Sequence, residues 1–390
     1  MIATPARLLE EHPIVTCVGS GGVGKTTLSA ALALGAARRG ANALVLTIDP
    51  AKRLADAMGL AGLGPEPEPV ARETLGELGI RDGSLSAMML DTKRTFDDLV
   101  RRFARDATTR DRIFENPIYQ HVSDALAGSS EYSAMEKVDE LVASGAFDVI
   151  VLDTPPSQHA LDFLEAPERL VGLVDSRIAR HLVHPAMSAG RLGLRLLQRG
   201  TEPLFRVIER ISGMGFLEDL AEFLLLFEEL SEGFRARADH VRELLFGGST
   251  AFVLAAGPGR GQVEQAIALA DRLDELGART RGVILNRLRL SPEPLVRGLA
   301  RSDAWTELGP ALVAGGLEPR LERAAAETAR RCIEGYAEYV RRDAVRTEPL
   351  VRWAEAGDAF VRRVPELPRD VHDLDTLCHI ESALFDPMPT

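Results

Sequence analysis

Short apolar runs alternate with longer amphipathic stretches along most of the chain. Runs rich in β-branched residues and bounded by polar turns are typical of buried strands, and they occur at residues 14–18, 43–48, 85–90, 148–152, 250–256 and 281–285. The Ala- and Leu-rich residues 27–39, which end in arginines, have the pattern of a helix. Buried strands that alternate with helices predict an α/β fold with a mostly parallel sheet covered on both faces.

Two long stretches without strand signals, residues 93–145 and 165–247, interrupt this alternation. We interpret them as insertions that together form a helical subdomain. The main α/β domain is then predicted to consist of residues 1–92, 146–164 and 248–390. Within it, residues 65–69 (PEPEP) have the composition of a stiff, exposed linker.

A glycine-rich segment, residues 19–27 (GSGGVGKTT), lies between the first predicted strand and the helix that follows it. In a strand–loop–helix unit, the backbone N–H groups and the helix N-terminus surround phosphates, the lysine reaches the outer phosphates and the hydroxyl binds Mg²⁺. The pattern G-x-x-x-x-G-K-[ST] therefore predicts a phosphate loop made of Gly19, Ser20, Gly21, Gly22, Val23, Gly24, Lys25, Thr26 and Thr27.

Polar side chains follow three of the predicted strands. Asp49, Asp153 and Asn286 stand at carboxyl ends, where ligands bind in parallel sheets. Because Asp153 closes a hydrophobic strand, as the Mg²⁺-associated aspartate of phosphate-loop enzymes does, we expect it to hold Mg²⁺ with Thr26, Asp153 acting through water. Asp49 precedes a proline, so it could also cap a short helix, and both roles can coexist. Asp91 is interpreted as a helix cap.

Composition narrows the functional classes. A net charge of −12 over 390 residues argues against a nucleic-acid partner bound through overall charge. No apolar run approaches 18 residues and the N-terminal segment lacks the apolar core of a secretion signal, so we expect a cytoplasmic protein. The three cysteines are far apart, which excludes a disulfide framework and a cysteine zinc site within one chain.

Three segments in order resemble the deviant-Walker ATPases of the arsenite-pump and tail-anchored-protein-targeting family: residues 21–27 (GGVGKTT), 47–59 (TIDPAKRLADAMG) and 153–164 (DTPPSQHALDFL). The resemblance extends from about residue 14 to residue 380 and is weak across the helical insertions. It implies a P-loop ATPase that uses ATP and Mg²⁺, releases ADP and phosphate, and works as a dimer with two subunits facing each other across two ATP molecules.

The resemblance also implies roles for individual residues. Asp49 becomes the catalytic residue of switch I that activates the attacking water, alongside Lys25, and residues 153–159 become switch II, which senses the γ-phosphate. Asn286 is expected to read the adenine edge, although its amide could also bond to local backbone. Residues 364–367 (VPEL) resemble the loop over the adenine, which makes Pro365 and Leu367 expected base contacts.

Two departures from the family pattern bear on function. The family's loop begins K-G-G, and its lysine stabilises charge on the partner's phosphates, whereas this chain has Ser20 there. A heterodimer with a paralogue that carries the lysine would supply the charge, and a nearby cation such as Lys52 or Arg53 could substitute for it. A homodimer without either source would lack the charge, and its turnover would be slow. The scattered cysteines disfavour arsenite extrusion, because soft metalloids need clustered thiols.

A stripe of large apolar residues in the second insertion indicates what ATP is used for. Its members, spaced four and three apart on one helical face, are Phe216, Leu220, Phe223, Phe227, Leu230 and Phe234. The stripe either packs within the protein or forms an ATP-gated groove for a hydrophobic client helix. The leading hypothesis is a targeting or chaperone-like ATPase for tail-anchored clients. The alternatives are the ATPase subunit of an anion-extrusion system with a membrane-protein partner, and a slow regulatory subunit.

Overall fold

The computed structural model describes residues 4–49, 53–120, 130–154, 219, 222–223, 225–226, 230–289 and 304–386. Within these residues, eight strands form one sheet in the order β3–β4–β2–β5–β1–β6–β7–β8. The strands are β1 (Ile14–Gly19), β2 (Asn42–Thr47), β3 (Glu68–Pro69), β4 (Ser84–Met89), β5 (Val149–Asp153), β6 (Thr250–Ala256), β7 (Thr280–Leu288) and β8 (Phe360–Pro365).

Neighbouring strands run parallel except β3, which pairs antiparallel with β4. The predicted α/β fold and the six predicted strands are confirmed, with ends shifted by a few residues. The sequence did not indicate β3 or β8. Residues 68–69 of the expected linker are exposed as predicted, yet they pair with β4. The outermost strand β8 carries two arginines among its apolar residues, which hides the strand signal.

The described helices lie between and around the strands. They are α1 (Pro5–Glu11), α2 (Lys25–Arg38), α3 (Arg53–Ala57), α4 (Arg72–Glu77), α5 (Thr92–Phe103), α6 (Ala107–Glu115), α7 (Ser130–Ser144), α8 (Ser231–Phe246), α9 (Arg260–Glu275), α10 (Ala304–Ala314), α11 (Glu322–Ala356) and α12 (Leu374–Phe385). Asp91 accepts a hydrogen bond from the Arg94 N–H and caps α5, as expected. None of the helices in the described part of the chain is long and apolar enough to cross a membrane.

Each face of the sheet is covered by its own apolar layer. Successive β1 residues alternate between the layers, so that Val15 packs with α2 and α12, whereas Ile14 packs with α5, α7, α9 and α11. Helices α5 and α7, which lie in the first predicted insertion, contribute Phe96 and Met135 to the same apolar layer as Ile14. The division into two subdomains stays a prediction.

The apolar stripe of the second insertion lies mostly outside the described residues. Its described members Phe223 and Leu230, with the neighbouring Leu226, are buried in the same apolar layer as Ile14. These three positions therefore pack within the protein. The client groove stays a prediction that concerns the other members of the stripe.

Candidate functional site

The candidate residues lie at the carboxyl ends of neighbouring central strands of the sheet. Strands β2, β5, β1, β6 and β7 are neighbours in this order and run parallel, so their carboxyl ends lie side by side. Asp49 follows β2, Asp153 ends β5, the glycine loop follows β1 and Asn286 lies near the end of β7. The topology thus places these four features along the same edge, where ligands bind in open parallel sheets.

Glycines shape the loop because neighbouring atoms leave no room for a side chain. A Cβ on Gly19 would lie 2.2 Å from the Ala255 carbonyl oxygen of β6. Gly24 has a φ of 89°, in the left-handed region, and a Cβ there would lie 2.5 Å from the Asn286 amide nitrogen. Both positions fix the backbone of the loop against the adjacent strands.

The loop presents an unsatisfied helix end and a buried cation. Helix α2 begins at Lys25, and its N-cap residue Gly24 makes no side-chain capping bond, so N–H groups of the first turn are available to an anion. Lys25 is buried, and its Nζ donates to the carbonyl oxygens of Gly19 at 3.0 Å and Ser20 at 3.1 Å. Burial lowers the pKa of Lys25, whereas the nearby carboxylates Asp153 and Asp49 oppose this shift.

Asp153 is a buried carboxylate with one unused oxygen. Its Oδ2 accepts a hydrogen bond of 2.9 Å from the Thr47 hydroxyl, and its Oδ1 has no hydrogen-bond partner among the described residues. Burial raises the pKa of Asp153 to about 6, against the opposing effects of the Thr26 and Thr47 hydroxyls and the Lys25 charge. An orphaned carboxylate oxygen beside a threonine hydroxyl suits a hard, hydrated cation such as Mg²⁺.

Thr47 connects the two aspartates and was not singled out from the sequence. Its hydroxyl donates to Asp153 and accepts from the Asp49 N–H at 3.2 Å. Asp49 itself is half-buried at the end of β2. The signal that could have identified Thr47 is its place as the last residue of a buried strand, two positions before an aspartate. Its role is to hold the start of the Asp49 loop against β5.

Asn286 joins β7 to the glycine loop. Its Nδ2 donates to the Val23 carbonyl oxygen at 2.8 Å, and its Oδ1 accepts from the Arg287 N–H at 2.9 Å. Arg287 has a φ of 57°, and the β7–β8 register shifts between Leu285 and Leu288, so the strand bulges there. An amide has two donor hydrogens and two acceptor lone pairs, and these two bonds use one of each.

The remaining predicted residues lie around this centre. Pro365 ends β8 and is half-buried, as is Leu367. The intervening Glu366 donates its N–H to the Leu288 carbonyl oxygen at 2.9 Å, so this loop is tied to the bulge that follows Asn286. Thr154 donates to the Cys17 carbonyl oxygen at 2.7 Å, whereas residues 155–159 of switch II lie outside the described residues.

Ser20 lies inside the loop. It is 3% exposed, and its hydroxyl oxygen has no hydrogen-bond partner in the described part of the chain. Its carbonyl oxygen is one of the two that hold Lys25. A short, buried side chain therefore occupies the position at which the resemblance leads us to expect a lysine.

Comparison with known proteins supports the resemblance to the ATPase family that the sequence motifs indicated. The family model described as anion-transporting ATPase matches residues 12–295. The ATPase GET3 of Malassezia globosa is 31% identical over 156 residues, 40% of this chain and 43% of that protein. The ATPase get3 of Aspergillus terreus is 34% identical over 152 residues, 38% of this chain and 41% of that protein.

A protein assigned as an arsenical pump-driving ATPase in Halobacterium salinarum is 29% identical over 176 residues, 43% of this chain and 26% of that protein. The chain thus spans less than half the length of the curated relatives that it matches. The match to both kinds of relative fits the family resemblance carried by the three motifs.

Proposed function

The chain belongs to the anion-transporting ATPase family, and from this membership we propose that it binds ATP with Mg²⁺ at the carboxyl ends of β1, β2 and β5 and hydrolyses it to ADP and phosphate. Two observations together carry the proposal. The buried Lys25 is held by two carbonyl oxygens of the loop, and Asp153 has a carboxylate oxygen without a hydrogen-bond partner among the described residues. A buried cation and a buried carboxylate at an open helix N-terminus suit a metal–phosphate ligand.

Lys25 changes partners when phosphate enters. Phosphate oxygens would replace the Gly19 and Ser20 carbonyl oxygens as acceptors, and each bond would then join two charged groups instead of one. The two carbonyls keep the buried ammonium solvated until then. The loop therefore binds phosphate without first exposing its cation to water.

Thr26 and Asp153 are the residues that would hold Mg²⁺, the threonine directly and the aspartate through water. When bound, Mg²⁺ would neutralise charge on the phosphates. Asp49 orients and activates the attacking water as the switch I carboxylate. Thr47 links the Asp153 carboxylate to the backbone N–H of Asp49, so a displacement at Asp153 reaches the main chain of Asp49 through one hydroxyl.

We further propose that ATP closes a dimer and that the cycle serves a hydrophobic, tail-anchored-like client. Relatives named ATPase GET3 and the other stripe members Phe216, Leu220, Phe227 and Phe234, which are apolar and lie outside the positions shown to pack in the core, support this use. The rival use, energising an anion-extrusion system with a membrane-protein partner, has support from the relative assigned as a pump-driving ATPase. Asn286, Pro365 and Leu367 would contact the adenine.

A specific observation favours a second candidate, a slow nucleotide-binding subunit that pairs with a catalytic paralogue. Ser20 is buried and uncharged, so a homodimer would lack the trans cation that stabilises developing phosphate charge. A partner subunit that carries K-G-G would restore it at this chain's ATP.

One experiment separates these functions. Purified protein is assayed for ATP turnover and for nucleotide-dependent dimerisation by light scattering, and the full chain is then used to isolate bound partners from its own cells. Turnover with dimer closure and an apolar client supports targeting, and an integral membrane pump supports extrusion. Binding without turnover, restored by a paralogue, supports the regulatory subunit. Absence of ATP binding contradicts all three.

A further inference from the structure

Charged side chains from three elements meet beside β7. The Arg289 N–H, just after β7, donates to Asp343 Oδ2 of α11 at 3.2 Å, and its Nη1 lies 3.4 Å from the same oxygen. Its Nε lies 3.6 Å from Glu366 Oε2, after β8. The guanidinium also lies over the Tyr339 ring, 5.2 Å from the centroid. We refer to Arg289, Asp343, Glu366 and Tyr339 as the Arg289 cluster.

Asp343 occupies a particular place in α11. None of residues 322–342 in the first part of this helix is buried, whereas the last part buries Asp343, Thr347, Leu350, Val351 and Ala354. Asp343 is therefore the point at which α11 leaves the body of the protein. A carboxylate that is 3% exposed needs a charged or hydrogen-bonded partner, and Arg289 provides both.

The cluster lies between the two segments that are expected to contact the base. Asn286 precedes Arg289 by three residues and is held at the bulge described above. Pro365 and Leu367 flank Glu366, whose N–H bonds to the carbonyl oxygen of Leu288, the neighbour of Arg289. Arg289 thus contacts the base-side loop through Glu366 and α11 through Asp343, and its own backbone continues the Asn286 strand.

We propose that Arg289 is a positioning residue for the base end of the ATP site, which fixes the loop of residues 364–367 and the Asn286 bulge relative to α11. The proposal rests on the function proposed above. The orientation of α11 then affects how tightly the adenine is bound. The binding of the phosphates depends on the glycine loop instead. Ligands that lack a base are then insensitive to Arg289.

The test compares a ligand with a base and a ligand without one. Binding of Mg–ATP and of Mg–tripolyphosphate is measured by calorimetry for the wild type, Arg289→Met and the double variant Arg289→Met/Asp343→Asn. The double variant removes both charges together, so no buried charge is left without a partner, and the amide oxygen introduced at position 343 still accepts from the Arg289 backbone N–H. Arg352→Met, which removes an exposed arginine paired with Glu348 on the same helix, is the matched control.

We expect both Arg289 variants to lose about tenfold or more in ATP affinity, the value of one charged hydrogen bond, with tripolyphosphate affinity and melting temperature of the double variant unchanged. Arg289→Lys should recover part of the loss. Equal weakening of both ligands, or wild-type ATP affinity in the double variant, overturns the proposal. Wild-type protein that binds neither ligand instead overturns the ATP site itself.

Discussion

The proposed phosphate side and the proposed base side of the site are built in different ways. On the phosphate side, nine consecutive residues from the end of β1 to the first turn of α2 supply the loop, the lysine and the hydroxyl, and Lys25 and Asp153 are both buried. On the base side, Asn286, Arg289 and Glu366 come from segments about eighty residues apart, and Arg289 is only partly buried. A contiguous motif can be recognised in a sequence, whereas a site assembled by tertiary contacts cannot.

The two sides also differ in the type of interaction that they can make with a nucleotide. Lys25 and Asp153 act as charges in a desolvated position, where each unmatched charge is expensive. Asn286 offers neutral hydrogen bonds, which are typically worth about 0.5–1.5 kcal/mol each. We therefore expect the phosphate side to determine whether nucleotide binds and the base side to determine which nucleotide binds.

The largest effect is expected for Lys25→Ala. The substitution removes the cation that neutralises the outer phosphates, so ATP affinity should fall on the order of 100-fold or more, as for loss of one partner from a buried charge pair. Calorimetric titration with Mg–ATP measures this loss. Lys93→Ala, which removes an exposed lysine paired with Asp97, is the control and should bind normally. Unchanged affinity in Lys25→Ala would refute the phosphate-loop assignment.

Asp49→Asn should affect the reaction and leave binding intact. The amide keeps the size of the side chain but cannot act as a carboxylate toward water, so we expect at least a ~100-fold slower chemical step. Single-turnover hydrolysis and ATP affinity, measured on the same preparation, separate the two effects. If single-turnover hydrolysis stays near the wild-type rate, Asp49 acts only in the structure of the loop.

The same contrast explains what the sequence could predict. The six short, apolar strands and the glycine loop were predictable, because a continuous apolar run and a fixed loop motif are local signals. Thr47 and the Asn286–Arg287 bulge could not be predicted, since their contacts depend on which strands become neighbours in the sheet. Strand β8 was missed because Arg362 and Arg363 break its apolar pattern at the outermost position of the sheet.

Asp343 shows the limit most clearly. In the sequence it is one of many charged residues in a long helix, and nothing local separates it from its exposed neighbours Arg341 and Arg342. Only the packing of α11 against the rest of the protein buries it next to Arg289. Helix periodicity predicts which face of a helix is apolar. It does not predict which carboxylate of the helix forms an ion pair with an arginine from a distant part of the sequence.

Ser20→Lys tests whether the phosphate side lacks a charge. A cation aimed at the transferred phosphoryl group is worth ~10³–10⁵ in rate in related sites. Because residue 20 is buried, the new side chain must leave the loop to reach a partner's phosphates, and we expect a smaller rise of about tenfold or more in turnover. Ser20→Ala is the control. Wild-type protein that is already fast without a partner would remove the case for a missing trans cation.

The smallest effect is expected on the base side, for Asn286→Ala. The wild type should prefer ATP over GTP, because the remaining amide hydrogen and lone pair suit the adenine edge. Loss of one or two neutral hydrogen bonds should reduce that preference by about five- to tenfold.

The same substitution removes the bond to the Val23 carbonyl oxygen, so the glycine loop could loosen as well. Tripolyphosphate affinity therefore serves as the internal control, measured with ATP and GTP affinities in one competition series. A drop in the ATP/GTP ratio at constant tripolyphosphate affinity assigns Asn286 to base recognition. A constant ratio with weaker tripolyphosphate binding would assign it to the loop alone, and the phosphate side would then depend on β7 as much as on its own motif.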